Sequence, residues 1–331
     1  MEMLTSDALD RARSFVLRSG RRLERARFAH LVDGGSLEDV AGELTAFQVE
    51  GGGFGGALES DARTPAASVL ATLTTLDILR MHGAPGDHPL SAGACAWLVQ
   101  HAQTNAADQV VWPFLPPQAQ AAPHAPWWYQ SEPGQLAETF NGFLANPGLA
   151  ITAHLWRYAA AAPQQAADAG ADADLLARLG TQARAIAGAG FAAEEVNAHD
   201  AAAHLVGEPA VPDAVRGELL AYLTEVLPQR IMRTEADFTT YGIHPLWVAP
   251  SPTHPLARVV APQVEIALDH VIRTQQADGS WQPFWDWGGW FPQEWEVAAR
   301  EWQGSLVVRN IAALKAWGRV GKPDADSAAS P

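Results

Sequence analysis

Apolar residues recur along this chain at three- and four-residue spacing, with Ala, Leu, Arg and Glu filling the positions between them. That period marks amphipathic helix. It predicts helices over 37–47, 68–82, 90–102, 149–161, 174–187, 213–227, 260–275 and 302–317. β-branched residues rarely alternate with polar ones, and no hairpin signal stands out. The connections alternate in character. Some are short and plain, as at 83–89. Others are long and rich in glycine, proline and aromatic residues, at 50–65, 112–146, 241–255 and 278–292. Loops of that length inside a compact domain usually carry function. The pattern predicts one all-α domain over 1–320 and a disordered Lys, Asp, Ser, Ala and Pro tail over 321–331.

Two helix ends repeat one order of residues. The first is Leu44-Thr-Ala-Phe-Gln48-Val-Glu-Gly-Gly52-Gly-Phe54, the second Ile272-Arg-Thr-Gln-Gln276-Ala-Asp-Gly279-Ser-Trp281. An aliphatic residue, a Gln, a glycine turn and an aromatic follow one another. A degenerate third copy runs from Val99 through Gln103 to Trp112. Glycine at positive φ ends a helix, and the Gln amide can bond backbone groups left over there. The aromatic then packs on the next helical hairpin. Units of this kind stack into a ring or superhelix.

Gln276-Ala-Asp-Gly279-Ser-Trp281 resembles the QW repeat of squalene and oxidosqualene cyclases, which recurs in looser form in protein prenyltransferase β subunits. Glu50-Gly-Gly-Gly-Phe54-Gly resembles the looser version. The resemblance implies an (α/α)6-type toroid of helical hairpins, with a central cavity lined by aromatics and suited to an apolar, isoprenoid-type small molecule. The Asp-x-Asp-Asp acid box of the cyclases is missing. The zinc site of the prenyltransferases needs a Cys, and the lone Cys95 stands in no matching context. No metal or cofactor is therefore expected.

Composition adds to this picture. Thirteen tryptophans is a high number for 331 residues, and they cluster with Gly and Pro as the wall of a binding site would. The formal net charge of −15 disfavours nucleic acid and anionic membrane surfaces as partners. One cysteine forbids an internal disulfide and fits a reducing compartment. The charged N-terminus lacks a signal-peptide core, and no stretch has the length of a membrane span. A cytoplasmic protein is expected. Its oligomeric state is not legible.

Candidate chemistry falls in the long loops. In Gly55-Gly-Ala-Leu-Glu59-Ser-Asp61-Ala-Arg63, two carboxylates and an arginine follow a glycine turn. One carboxyl facing an apolar cavity would hold its proton and act as an acid, while its partner stayed ionised. Alternatively, the group is a loop ion pair with Arg63 that also caps the next helix. Phe54, Trp112, Trp128, Trp285, Trp287 and Trp290 are candidate cavity walls, able to shield a cation with their ring faces or simply to pack the turns. Tyr241 and His244 begin a loop with two His-Pro steps, at His244 and His254. They read as hydrogen-bonding residues or as acid–base groups at a cavity mouth. Glu301 is a further acid, facing the cavity or paired with a nearby arginine. The string His199-Asp200-Ala-Ala-Ala-His204 reads as surface or core. Three functions follow: an isoprenoid cyclase or lyase using Glu59 or Asp61; a carbohydrate-active toroid using Glu59, Asp61 and Asp286; and a toroid that only binds a ligand.

Overall fold

The computed structural model describes residues 1–321. The expected tail at 321–331 lies outside these residues except for Gly321. Among them the chain forms fourteen α-helices: α1 (Ser6–Ser19), α2 (Arg22–Phe28), α3 (Leu37–Leu44), α4 (Val69–Met81), α5 (Pro89–Gln100), α6 (Gln135–Thr139), α7 (Gly148–Ala161), α8 (Pro163–Asp168), α9 (Ala173–Ala189), α10 (Val196–Val206), α11 (Asp213–Arg230), α12 (Pro245–Val248), α13 (Ala261–Arg273) and α14 (Pro292–Ala316). One two-residue hairpin pairs Gln103–Thr104 with Val110–Val111 inside the degenerate repeat, where no hairpin was expected. The all-α expectation holds.

Helix contacts run from α1 through α2, α3, α4, α5, α7, α10, α12 and α13 to α14, and α14 packs back on α1. The chain ends close the circuit. Leu4 N–H donates to Arg319 O at 2.8 Å, and Gly321 N–H donates to Leu4 O at 2.9 Å. Arg319, 2 % exposed, bonds Asp269 from beneath. α9 and α11 pack together outside this circuit.

α4, α7 and α10 are apolar almost all round, and most of their residues are buried. Helices of that pattern are interior. Several polar residues on them, among them Asp77, Arg80, Asp200 and His204, are thereby carried to the cavity between the helices.

The repeat turns show what the aromatic does. Trp281 Nε1–H donates to Val271 O at 2.7 Å, a carbonyl left over in the last turn of α13. Trp112 Nε1–H does the same for Leu98 O at the end of α5, at 2.8 Å. The third copy, weak as a sequence, is thus a true equivalent. Gln276 Nε2–H donates to Thr274 O at 3.0 Å, as expected. Gln48 acts by backbone instead, bridging to Phe54 as a strand pair. Gly279 has φ +95°, and a Cβ there would lie 2.1 Å from Arg11 O, so only glycine lets this turn meet α1.

One boundary differs widely from expectation. The last helix begins at Pro292, ten residues before the predicted start at 302. Proline at the first helical position supplies the right φ without losing a needed N–H. Phe291 before it takes a left-handed φ of +42°. The aromatic loop is therefore shorter, and Glu301 and Trp302 sit mid-helix.

Candidate functional site

A cavity of about 1100 Å³ lies among the helices. α2, α4, α7, α10, α12, α13 and α14 all contribute to its lining, as do the long loops. Its aromatic wall comprises Phe114, Trp128, Trp247, Trp281, Trp285 and Trp302.

Glu59 lines this cavity and Asp61 does not. The two carboxylates face different surroundings. Asp61 is 3 % exposed and accepts three indole N–H bonds. Trp287 Nε1 donates to Oδ1 at 2.8 Å, Trp302 Nε1 to Oδ1 at 2.8 Å and Trp285 Nε1 to Oδ2 at 3.2 Å. Burial pushes the Asp61 carboxyl up, and the three indoles pull it back toward the ionised form. Asp61 is a clamp that orients two wall tryptophans. Glu59 has no side-chain partner among the described residues. Its Oε2 accepts the Asp61 backbone N–H at 2.9 Å. Burial first, and the Asp61 charge second, push the Glu59 carboxyl well above its usual range. Of the two, Glu59 is the one pushed further toward its protonated form.

Arg63 bonds neither carboxylate. It forks onto Glu301, with Nη1 at 2.7 Å and Nη2 at 3.2 Å. Arg21 forks onto the fully buried Glu24 at 2.9 and 2.7 Å, and its Nη1 also donates to Ala57 O at 3.0 Å. These pairs fasten the Glu59 loop to α2 and α14. Arg63 and Glu301 therefore hold the site in place and do not line it. Arg21, which does, partly offsets the upward push on Glu59.

Other expected wall residues also lie elsewhere. Phe54 and Trp112 are fully buried in the main core, where they close repeat turns. Trp287 is fully buried behind the wall, held on Asp61. Trp290 is on the outer surface, edge-on to Tyr129 with ring centroids 5.2 Å apart. Tyr241 is 59 % exposed. Trp128, Trp285 and His244 line the cavity as expected.

The His-Pro steps are caps. His244 Nδ1 accepts from Leu246 N–H at 3.2 Å, and His254 Nδ1 accepts from Leu256 N–H at 3.2 Å. His88 before Pro89 repeats the device on Leu90, at 3.3 Å. Each imidazole takes the N–H two residues on, which proline's geometry presents. Burial holds His244 down to about 3 and His254 down to about 4, so both are neutral acceptors.

A second polar group lines the cavity that sequence reasoning missed. Asp77 Oδ1 lies 3.0 Å from His154 Nε2 and 3.4 Å from His204 Nδ1. Arg80 Nη2 lies 3.1 Å from that same His204 nitrogen. His204 is neither surface nor inert core, as expected from its sequence, but part of the lining. Asp200, one turn before it, is pushed up to about 7 by burial, against the pull of Arg309. Its Oδ1 has no hydrogen-bond partner among the described residues. The available signal was a charged residue inside an apolar helix, at Asp77 and Arg80, and the four-residue step from Asp200 to His204.

Asp77, His154 and His204 bring three donor atoms within 4.8 Å of one another, the reach of a metal ion. The Arg80 guanidinium argues against that use, since it occupies the His204 nitrogen and would repel a dication. No helix among the described residues is long and apolar enough to cross a membrane. No family model, curated protein or solved structure matches this chain.

Proposed function

We propose that this chain is an α/α toroid that takes an apolar, isoprenoid-type small molecule into its central cavity, with Glu59 as general acid for cyclisation, isomerisation or elimination. The toroid part is supported by the circuit of helix contacts that returns from α14 to α1. The carrying observation for the chemistry is Glu59, a carboxyl pushed toward its protonated form and without a side-chain partner among the described residues, in a cavity walled by Trp285 and Trp302.

The mechanism follows from its surroundings. Oε2 already accepts the Asp61 amide, so the transferable proton belongs on Oε1. Transfer of that proton to a substrate double bond forms a C–H bond and leaves a carbocation. The Glu59 carboxylate that remains is stabilised by the Asp61 N–H and the Arg21 charge. Trp ring faces stabilise the cation, and the Asp61 clamp keeps two of those rings from turning. Return of a proton from a neighbouring carbon to Glu59 restores the acid and yields an isomer of the substrate. The carbohydrate reading has less support. Of its three carboxylates only Glu59 lines the cavity, because Asp61 is clamped and Asp286 caps its own turn through Gly288 N–H at 2.6 Å.

The test is incubation with a series of linear isoprenoid alcohols and hydrocarbons, with products separated by gas chromatography and mass spectrometry. Isomers of unchanged mass are expected from cyclisation or isomerisation, and products lighter by the mass of water from elimination of an alcohol. Glu59→Gln should lower their formation by roughly 10²–10⁴-fold, the usual share of a general acid. Unchanged turnover in Glu59→Gln would remove Glu59 from the chemistry.

A further inference from the structure

The chain as a whole is acidic, with 37 Asp and Glu against 22 Lys and Arg. Its cavity reverses that balance. Five basic side chains line it, Arg21, Arg27, Arg80, Arg309 and Lys315, against three acidic ones, Glu59, Asp77 and Asp200. Two of the five are occupied: Arg21 forks onto Glu24, and Lys315 bonds Leu31 O.

The other three have no carboxylate within ion-pair distance among the described residues. Arg27 is 5 % exposed, and its guanidinium finds only weak acceptors, His82 Nε2 at 3.4 Å and Met81 Sδ at 3.6 Å. Arg80 meets His204, and its buried Nε has no partner among the described residues. Arg309 sits over the Trp247 ring, with its Cζ 4.0 Å from the ring centroid. Asp77, the nearest acid to Arg80 in sequence, is already engaged by His154. An enclosed guanidinium without a paired carboxylate is costly, and three around one cavity are more so. The cost is offset when an oxyanion enters. The planar fork suits carboxylate and phosphate oxygens, and stacking on an indole pre-orients it. Burial holds Arg309 down to about 10 against the pull of Asp200 and Asp77, and the charge of Arg27 adds to the downward push.

We propose that Arg27, Arg80 and Arg309 receive the oxyanion head, carboxylate or phosphate, of an amphipathic ligand whose apolar body lies along the wall formed by Trp247, Trp281, Trp285 and Trp302. The inference rests on the function proposed above and narrows it: the ligand is an anion with an apolar tail rather than a plain hydrocarbon. The Glu59 end and the guanidinium end then divide the work, one acting on the body and one fixing the head.

Dodecyl phosphate, dodecanoate and dodecanol distinguish the possibilities by quenching of tryptophan fluorescence on the full chain. The two anions should bind about tenfold or more tighter than the alcohol, from charge-assisted hydrogen bonds that only they can accept. The tighter of the two names the head group. Arg309→Gln should bring the anions toward the alcohol, and Arg309→Lys should recover part of the difference. Arg80→Gln gives a second, independent reading, and circular dichroism checks that each variant is folded. Equal binding of alcohol and anions, or anion affinity unchanged in both Gln variants, overturns the inference while leaving the apolar cavity reading intact. No binding by any of the three probes overturns both.

Discussion

Glu59 and Asp61 are two residues apart and do opposite things, and substitution should show it. Asp61→Asn puts an amide where three indoles donate. It should cost roughly 2–4 kcal/mol in denaturant unfolding, as expected for lost hydrogen bonds to a buried charge. Glu59→Gln replaces a neutral acid by a neutral amide of the same shape, so its stability should change by less than about 1 kcal/mol. A large loss in Glu59→Gln would mean that its carboxyl is ionised and structural. Asp200 gives a pH test. Its carboxyl is raised from 3.8 to about 7, so the folded state binds the proton more tightly than the unfolded chain. That stability is present below the unfolded pKa and is lost as pH rises through the folded value. Asp200→Asn should therefore gain in melting temperature relative to wild type between pH 4 and 7, with the gain largest above 7. A pH-independent difference would contradict the assignment. Zinc addition or chelation should leave the melting temperature unchanged, because Arg80 holds His204; a zinc-dependent rise would make Asp77, His154 and His204 a metal centre. At this scale the sequence pointed to the loop that carries both carboxylates. It could not choose between its two carboxylates, because the choice depends on Trp302, which is 241 residues from Asp61 along the chain.

Helices were the most legible elements, since a 3.6-residue period survives any tertiary arrangement. The repeat turns were legible where glycine and Gln mark them, at Gln276–Trp281, and obscure where the copy keeps Gln103 but lacks the glycine. Trp112 shows why. The physical requirement is an indole N–H placed on a helix-end carbonyl, and a two-residue hairpin can deliver it as well as a glycine turn. The start of α14 was missed because its first turns carry Trp, Glu and Gln in a stretch that reads as loop, and the deciding signal was one proline. Gly279 tests the account of these turns. Gly279→Ala forces a Cβ onto Arg11 O and a left-handed backbone on alanine. The strain alone should cost about 1–3 kcal/mol, before any displacement of α1. A neutral substitution would show that the turn and α1 are further apart than described.

The whole molecule is held as a circuit by its two ends, and this was not visible in the sequence. Leu4, buried to 1 % exposure, pairs with Val320 as a short strand bridge. Leu4→Ala should cost roughly 2–5 kcal/mol, the range for a buried leucine, and should loosen the α1–α14 contact in hydrogen exchange. The reversal of charge between the chain and its cavity was equally hidden, because Arg27, Arg80 and Arg309 are isolated in sequence and come to line one cavity only through the folding of α2, α4 and α14. The central claim is that this cavity holds a small molecule on which Glu59 acts. The most direct measurement is native mass spectrometry with solvent extraction of wild type and Glu59→Gln, both purified from the source cells. The account predicts an apolar or amphipathic molecule bound to both, with an unconverted isomer retained by Glu59→Gln. Protein without any bound small molecule, or the same isomer in both samples, would contradict it.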